Sequence, residues 1–263
     1  MARVLVWCAL LVALAAPAAA ADDRALLAHA RTQYNAGDYD GAIVTAEEAR
    51  RVATQSDSAD LIAARALLER FRASASPEDL TQARDKLRRL VPDLFVDRER
   101  LEFIVGLGEA LFFEEAAGAA AAVFESALDM TTVPLEGRDQ VLDWWASAVD
   151  YDARPRSEFE RQVLYERVRT RMRSELAQHP TSATAAYWAA AAARGQGDYS
   201  GAWAAAEAGW VRAALAPDHG ASLRGDIDRL VLRALIPERA RATGLSPDTL
   251  RADWDAFKER WNR

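Results

Sequence analysis

One short string occurs twice in this chain. Gly37-Asp-Tyr-Asp-Gly-Ala-Ile43 is nearly repeated as Gly197-Asp-Tyr-Ser-Gly-Ala-Trp203, and each copy joins one alanine-rich stretch to another. Helical hairpins that recur along a chain cannot bury their apolar faces alone. They stack, share a core between neighbours and present an extended surface that holds other molecules. The rest of the composition agrees with helix: hydrophobic residues make up 51% of the 263, alanine, leucine, arginine and glutamate dominate, and no alternating β-branched run competes. The expected fold class is all-α, an α-solenoid of stacked antiparallel helical hairpins.

A third copy lies between the two strings. It reads Ile104-x2-Leu107-Gly108-x2-Leu111 followed by Ala120-x3-Phe124 and Ala127. Small residues let two helices approach, and the large ones fill the space beside the contact. The first copy places Leu26, Ala30, Ala42 and Ala49 at the matching positions, and the last places Ala186, Ala190, Ala202 and Gly209. This order resembles the tetratricopeptide repeat, a 34-residue hairpin with W-x2-L-G-x2-Y on its first helix and A-x3-F on its second. Clear hairpins are expected at about 24–53, 101–130 and 183–214. Ala42 to Ala120 is 78 residues and Ala120 to Ala202 is 82, so each gap holds two units of about 40, and the array is irregular.

The intervening elements follow from local signals. Ser76-Pro77 is read as cap and first residue of a helix reaching Val91, and Arg154-Pro155 as a break before a long helix from Ser157 to Gln178. Phe159, Val163, Val168, Met172 and Leu176 give that helix one apolar stripe. Ala216-Pro-Asp-His-Gly220 is read as a turn. Beyond it, a helix stopped by Pro237 and a final helix carrying Leu250, Trp254, Phe257 and Trp261 are expected to close the array over about 222–262.

The N-terminus reads as an address. Arg3, an apolar run from Val4 to Ala16, Pro17 and the alanines ending at Ala21 have the order of a secretory signal peptide over 1–21, an uncleaved anchor being the alternative. Cys8 lies inside the run, so no lipidation site is read, and a cleaved chain would hold no cysteine. The repeat domain is then 22–263, without a later membrane span, in the periplasm or secreted. A net charge of −7 argues against nucleic acid as a partner.

Chemistry-bearing patterns are sparse. His29, His179 and His219 are far apart in sequence, and no zinc set, phosphate-cradling loop or nucleophile elbow occurs. His29 is read as a partly buried core histidine and His179 as a helix C-terminal residue. Glu47-Glu48 and Glu114-Glu115 are sequence neighbours, which diverge by about 100° on a helix. No catalytic, metal or cofactor residue is assigned, and the expectation is that the chain is not an enzyme. Arg167-Val-Arg-Thr-Arg-Met-Arg173 reads as a solvated face with Glu166 and Glu175 as partners, or as an anion-binding patch.

The resemblance also implies where a partner binds. In tetratricopeptide proteins the first helix of each hairpin lines the concave surface. Carried over, this points to Arg31 and Tyr34 in the first copy, Glu102, Glu109 and Phe113 in the middle one, and Tyr187 and Arg194 in the last, joined by Trp145 from an irregular hairpin. The partner class implied is a protein or peptide. An envelope glycan or small molecule is the alternative, and a hydrolase built on a helical array is the third reading.

Overall fold

Helix follows helix through the described residues, and no strand occurs among them. The structure is a computed structural model describing residues 16–130, 135–215, 218 and 220–261. Its helices fall into two compact units, Met1–Ala110 and Leu111–Arg263, whereas the sequence suggests one array over 22–263. Unit 1 holds α1 (Ala16–Asn35), α2 (Tyr39–Ala49), α3 (Ser56–Ser74), α4 (Pro77–Leu87) and most of α5 (Asp97–Phe113). Unit 2 holds α6 (Ala117–Leu128), α7 (Leu135–Ala153), α8 (Glu158–Gln178), α9 (Ala183–Gly195) and α10 (Tyr199–Arg212). It continues with α11 (Ala221–Leu230), α12 (Ile236–Thr243) and α13 (Pro247–Trp261). Of the signal-like segment, residues 1–15 lie outside the described residues.

Within each unit, helices pack on their neighbours in the chain. In unit 1, α1 packs on α2, α2 on α3 and α3 on α4, and α1 also touches α3. In unit 2 the same relation links α6 with α7, α8 with α9 and α9 with α10, and α7 also touches α9. Contact between alternate helices is what stacked hairpins produce.

The repeated string explains itself as a turn. Gly37 and Gly197 have φ of 79° and 77°, the left-handed region that glycine enters without a Cβ penalty. Their N–H groups donate to the carbonyls of Tyr34 and Arg194, while those of Asp38 and Asp198 donate to Gln33 and Ala193. Asp38 and Asp198 then cap the next helix, their carboxylates accepting from the N–H of Gly41 at 3.0 Å and Gly201 at 2.8 Å. A Cβ on Gly41 or Gly201 would run into the capping carboxylate. The string is therefore a helix stop, a cap and the space that the cap needs.

The middle copy makes the same turn with different residues. Glu115 takes the left-handed position at φ 63°, and Glu115 and Ala116 donate to the carbonyls of Phe112 and Leu111. Ala116 has no carboxylate to cap with, and Ala119, replacing the last glycine, has none to avoid. Ala30, Ala42, Ala120, Ala190 and Ala202 are all fully buried, at the register that the sequence pattern gives them.

The cores differ. In unit 1 one apolar cluster is alanine-rich, with Ala30, Ala46, Ala49, Ala59, Ile62 and Ala63 flanked by Leu26, Leu27 and Tyr34, and Leu61, Leu67, Leu68, Leu87 and Phe103 are buried as well. In unit 2 the cluster is aromatic. Trp254 of α13 is fully buried, edge-on to Trp203 and Trp210 at 5.8 and 5.6 Å and stacked on Phe257 at 5.7 Å. The last helix thus packs on α10 and α12, with Trp261 left exposed.

Several boundaries depart from the expected ones. α4 ends at Leu87, and Ser76 does not cap it, because its hydroxyl donates to the Glu78 carboxylate instead. α8 starts with a capping box between Ser157 and Glu160. Its stripe is buried only at Val168 and Met172; Phe159 is 78% exposed and Val163 56%. Pro237 does not stop the helical path. Val231–Leu235 form a π-helical turn before it, and the chain continues helically to Thr243. A widened turn accommodates the missing N–H of proline. In the 216–220 turn, Ala216, Pro217 and His219 lie outside the described residues; Asp218 accepts from the N–H groups of Gly220 and Ser222, each at 2.9 Å.

Candidate binding surfaces

In unit 1, four of the residues assigned to a groove meet in one ionic network. Glu102 and Glu109 stand seven residues apart on α5, and Arg65 and Arg72 seven apart on α3, two helical turns in each case. Glu109 is 2% exposed and pairs with Arg65 at 3.3 Å and with Arg72. Arg65 also donates to the Tyr34 hydroxyl at 3.2 Å and the Glu102 carbonyl at 3.3 Å. Arg31 of α1 pairs with Glu102 at 2.7 Å and with Glu99 at 3.6 Å. Burial works against the charge on Arg65, but Glu109 and Tyr34 hold its pKa above the ordinary value. Burial pushes the Glu109 carboxyl up despite the two guanidiniums, and it also raises the Tyr34 phenol.

The assignment of Glu109 to a contact surface is thereby corrected. Its carboxylate faces the arginines of α3 inside unit 1, because a charge so deeply buried is kept only where it is paired. A second buried cluster ties α2, α3 and α4 together: Lys86 pairs with Asp60 at 2.7 Å and with Glu47, and Arg50 reaches Asp60 at 3.1 Å.

In unit 2, Tyr187 and Arg194 line a cavity of about 220 Å3 where α7, α8 and α9 meet, with Leu230 of α11 on its wall. Asp150 organises one side. It accepts from the Tyr165 hydroxyl at 2.8 Å and from Arg154 at 2.6 Å, and Arg154 lies over the Tyr151 ring at 4.3 Å. Gly195 makes room for Tyr165, since a Cβ there would stand 2.5 Å from the phenol ring. Burial and the Asp150 hydrogen bond push the Tyr165 phenol up to about 12. On the other side Arg194 forms two parallel bonds with Glu238 of α12, at 2.7 and 2.6 Å. Trp188 donates from its indole to Asp143 at 2.8 Å and meets Tyr187 edge-on at 5.6 Å.

The remaining assignments divide. Trp145 is 0% exposed, with Arg167 5.6 Å above its ring; it belongs to the interior of unit 2, because the face of α7 that carries it is covered. Phe113 is half-buried at the end of α5, edge-on to Phe112. His29 is exposed rather than part of the core. The four arginines of the 167–173 cluster on α8 are matched one by one. Arg167 pairs with Glu125, Arg169 with Asp198 at 3.1 Å, Arg171 with Asp129 at 3.0 Å and Glu175 at 3.2 Å, and Arg173 with Glu166 at 2.6 Å. That face carries no surplus charge to draw an anion.

Sequence reasoning missed Arg65, Arg72, Asp150 and Tyr165. The first two had a readable signal, an arginine pair and a glutamate pair at the same two-turn spacing. Asp150 and Tyr165 are joined only by the reversal of the chain between α7 and α8. Among the described residues, no group of three metal-ligating side chains converges, and no helix is long and apolar enough to cross a membrane. The chain matches no protein-family model and no curated protein.

Proposed function

We propose that this protein is an exported scaffold of the tetratricopeptide type that binds a protein or peptide along the first helices of its hairpins. The observation that carries this reading is the turn made three times with one hydrogen-bond pattern at 37–38, 115–116 and 197–198. It supports a common register for the helices that precede the turns, which brings Tyr34 and Arg194 to equivalent positions, three residues before the turn glycine. Half-buried aromatic and arginine side chains at such positions are the types that anchor interfaces. The signal-like N-terminus supports the periplasm or the extracellular space as the place of action.

The test is selection from a displayed peptide library on the full chain without residues 1–21, followed by affinity measurement of the selected peptides. Alanine variants at Arg31 and at Tyr187, measured one at a time, should each bind the peptides selected on that unit at least about tenfold more weakly, as loss of one anchor worth about 1.4 kcal/mol implies. Unchanged affinity would remove the first-helix assignment.

A further inference from the structure

We propose that the cavity between α7, α8 and α9 of unit 2 is a binding site for a single neutral sugar ring. The site shares Tyr187 and Arg194 with the proposed peptide surface, but sugar binding is read directly and stands or falls without a peptide. The argument begins with charge. The ionic groups of the wall are already closed in pairs: Asp150 with Arg154 at 2.6 Å, and Arg194 with Glu238 through two bonds. Glu238 matches the charge of Arg194 through Nε and one terminal nitrogen, so a phosphate or carboxylate would meet no uncompensated positive charge there. A cation would face two arginines, and a zwitterion would find each complementary charge already neutralised.

What is left unspent is neutral hydrogen-bonding capacity. The Ser147 and Tyr187 hydroxyls have no protein partner among the described residues, and Tyr187 is half-buried on the wall. Arg194 keeps the N–H groups of its second terminal nitrogen, and Asp150 Oδ1 keeps a lone pair beyond the one that Tyr165 occupies, Oδ2 being taken by two bonds from Arg154. Donors and acceptors therefore both line a space walled by Tyr151, Tyr187 and Trp188. Fixed planar polar groups together with aromatic carbon suit a molecule that carries hydroxyls on its edge and C–H groups on its face. The volume, about 220 Å3, lies below the range of drug-sized sites, roughly 300–1,000 Å3, and suits one ring.

The wall is also built to hold its shape. Gly195 admits the Tyr165 ring, Tyr165 holds Asp150, and Asp150 holds Arg154 against Tyr151, so each polar group is set before a ligand arrives. The experiment is saturation-transfer NMR on the full chain without residues 1–21, using glucose, N-acetylglucosamine, glycine and inorganic phosphate as probes. At least one sugar should bind, with a Kd below about 50 mM, and Tyr187→Phe and Ser147→Ala should together weaken it roughly tenfold. The single variants, each removing one hydroxyl, serve if the pair is unstable. The proposal is overturned if neither sugar binds in that range, if the variants bind as the parent does, or if glycine or phosphate occupies the site more tightly.

Discussion

Tyr34 and Arg194 stand at the same place in the repeat, and the two units use that place in opposite ways. In unit 1 the tyrosine is taken up by Arg65, which with Glu109 and Arg72 closes the space between α3 and α5 with charge. In unit 2 the arginine turns to Glu238 and leaves a cavity beside it. The cores differ as well: an alanine-rich cluster beside buried leucines and ions in unit 1, and edge-on indoles around Trp254 in unit 2. A repeat turn thus sets where first-helix side chains stand, while the neighbouring helices decide whether those side chains are consumed by the fold or left available.

The largest single effect should come from the aromatic core. Trp254→Ala removes a fully buried indole that three other rings contact, and should cost about 3–5 kcal/mol in urea unfolding. The unit 1 cluster answers to the reverse change. Ala63→Leu overfills a site that is 1% exposed and should cost about 1–3 kcal/mol. If Trp254→Ala were the milder of the two, the contrast between cores would fail.

Gly195→Ala tests the cavity wall in a similar range. The added methyl meets the Tyr165 ring at 2.5 Å, so a loss of about 1–3 kcal/mol is expected, together with loss of sugar binding. Smaller still are the turns. Asp38→Ala and Asp198→Ala should each cost about 1 kcal/mol, the worth of an N-cap. Glu115→Gly should stabilise the middle turn by up to about 1 kcal/mol by relieving a left-handed glutamate. Thermal unfolding of the three variants checks whether the turns behave as one device.

A further effect is confined to alkaline pH. Tyr165 has its phenol raised to about 12 from the ordinary 10.0, so above that lower value the unfolded chain ionises it first. Stability that is fully present below pH 10.0 is therefore lost as pH rises toward 12. The unfolding midpoint of the parent should fall more steeply over this window than that of Tyr165→Phe.

How much of this was legible in the sequence depended on range. The turn strings, the buried alanines and the closing aromatic helix are local or periodic signals, and they stand where the pattern puts them. The capping box at Ser157 and Glu160 was equally local. The apolar stripe of α8 misled because a neighbouring helix covers Val168 and Met172 but leaves Phe159 and Val163 exposed, which the spacing along one helix does not reveal. Trp145 and Glu109 misled for another reason: which face of a helix is covered depends on helices far away in sequence. Pairings such as Arg65 with Glu109, or Arg194 with Glu238, are 44 residues apart and are set only by stacking.

The contrast itself comes down to two ion pairs that can be measured in the same way. Double-mutant cycles, with truncation to alanine, give the coupling of Arg65 with Glu109 in unit 1 and of Arg194 with Glu238 in unit 2. The buried pair should couple by about 3 kcal/mol or more, and the pair beside the open cavity by about 1 kcal/mol or less. Equal couplings, or a stronger one at Arg194, would contradict the account of a closed first unit and an available second.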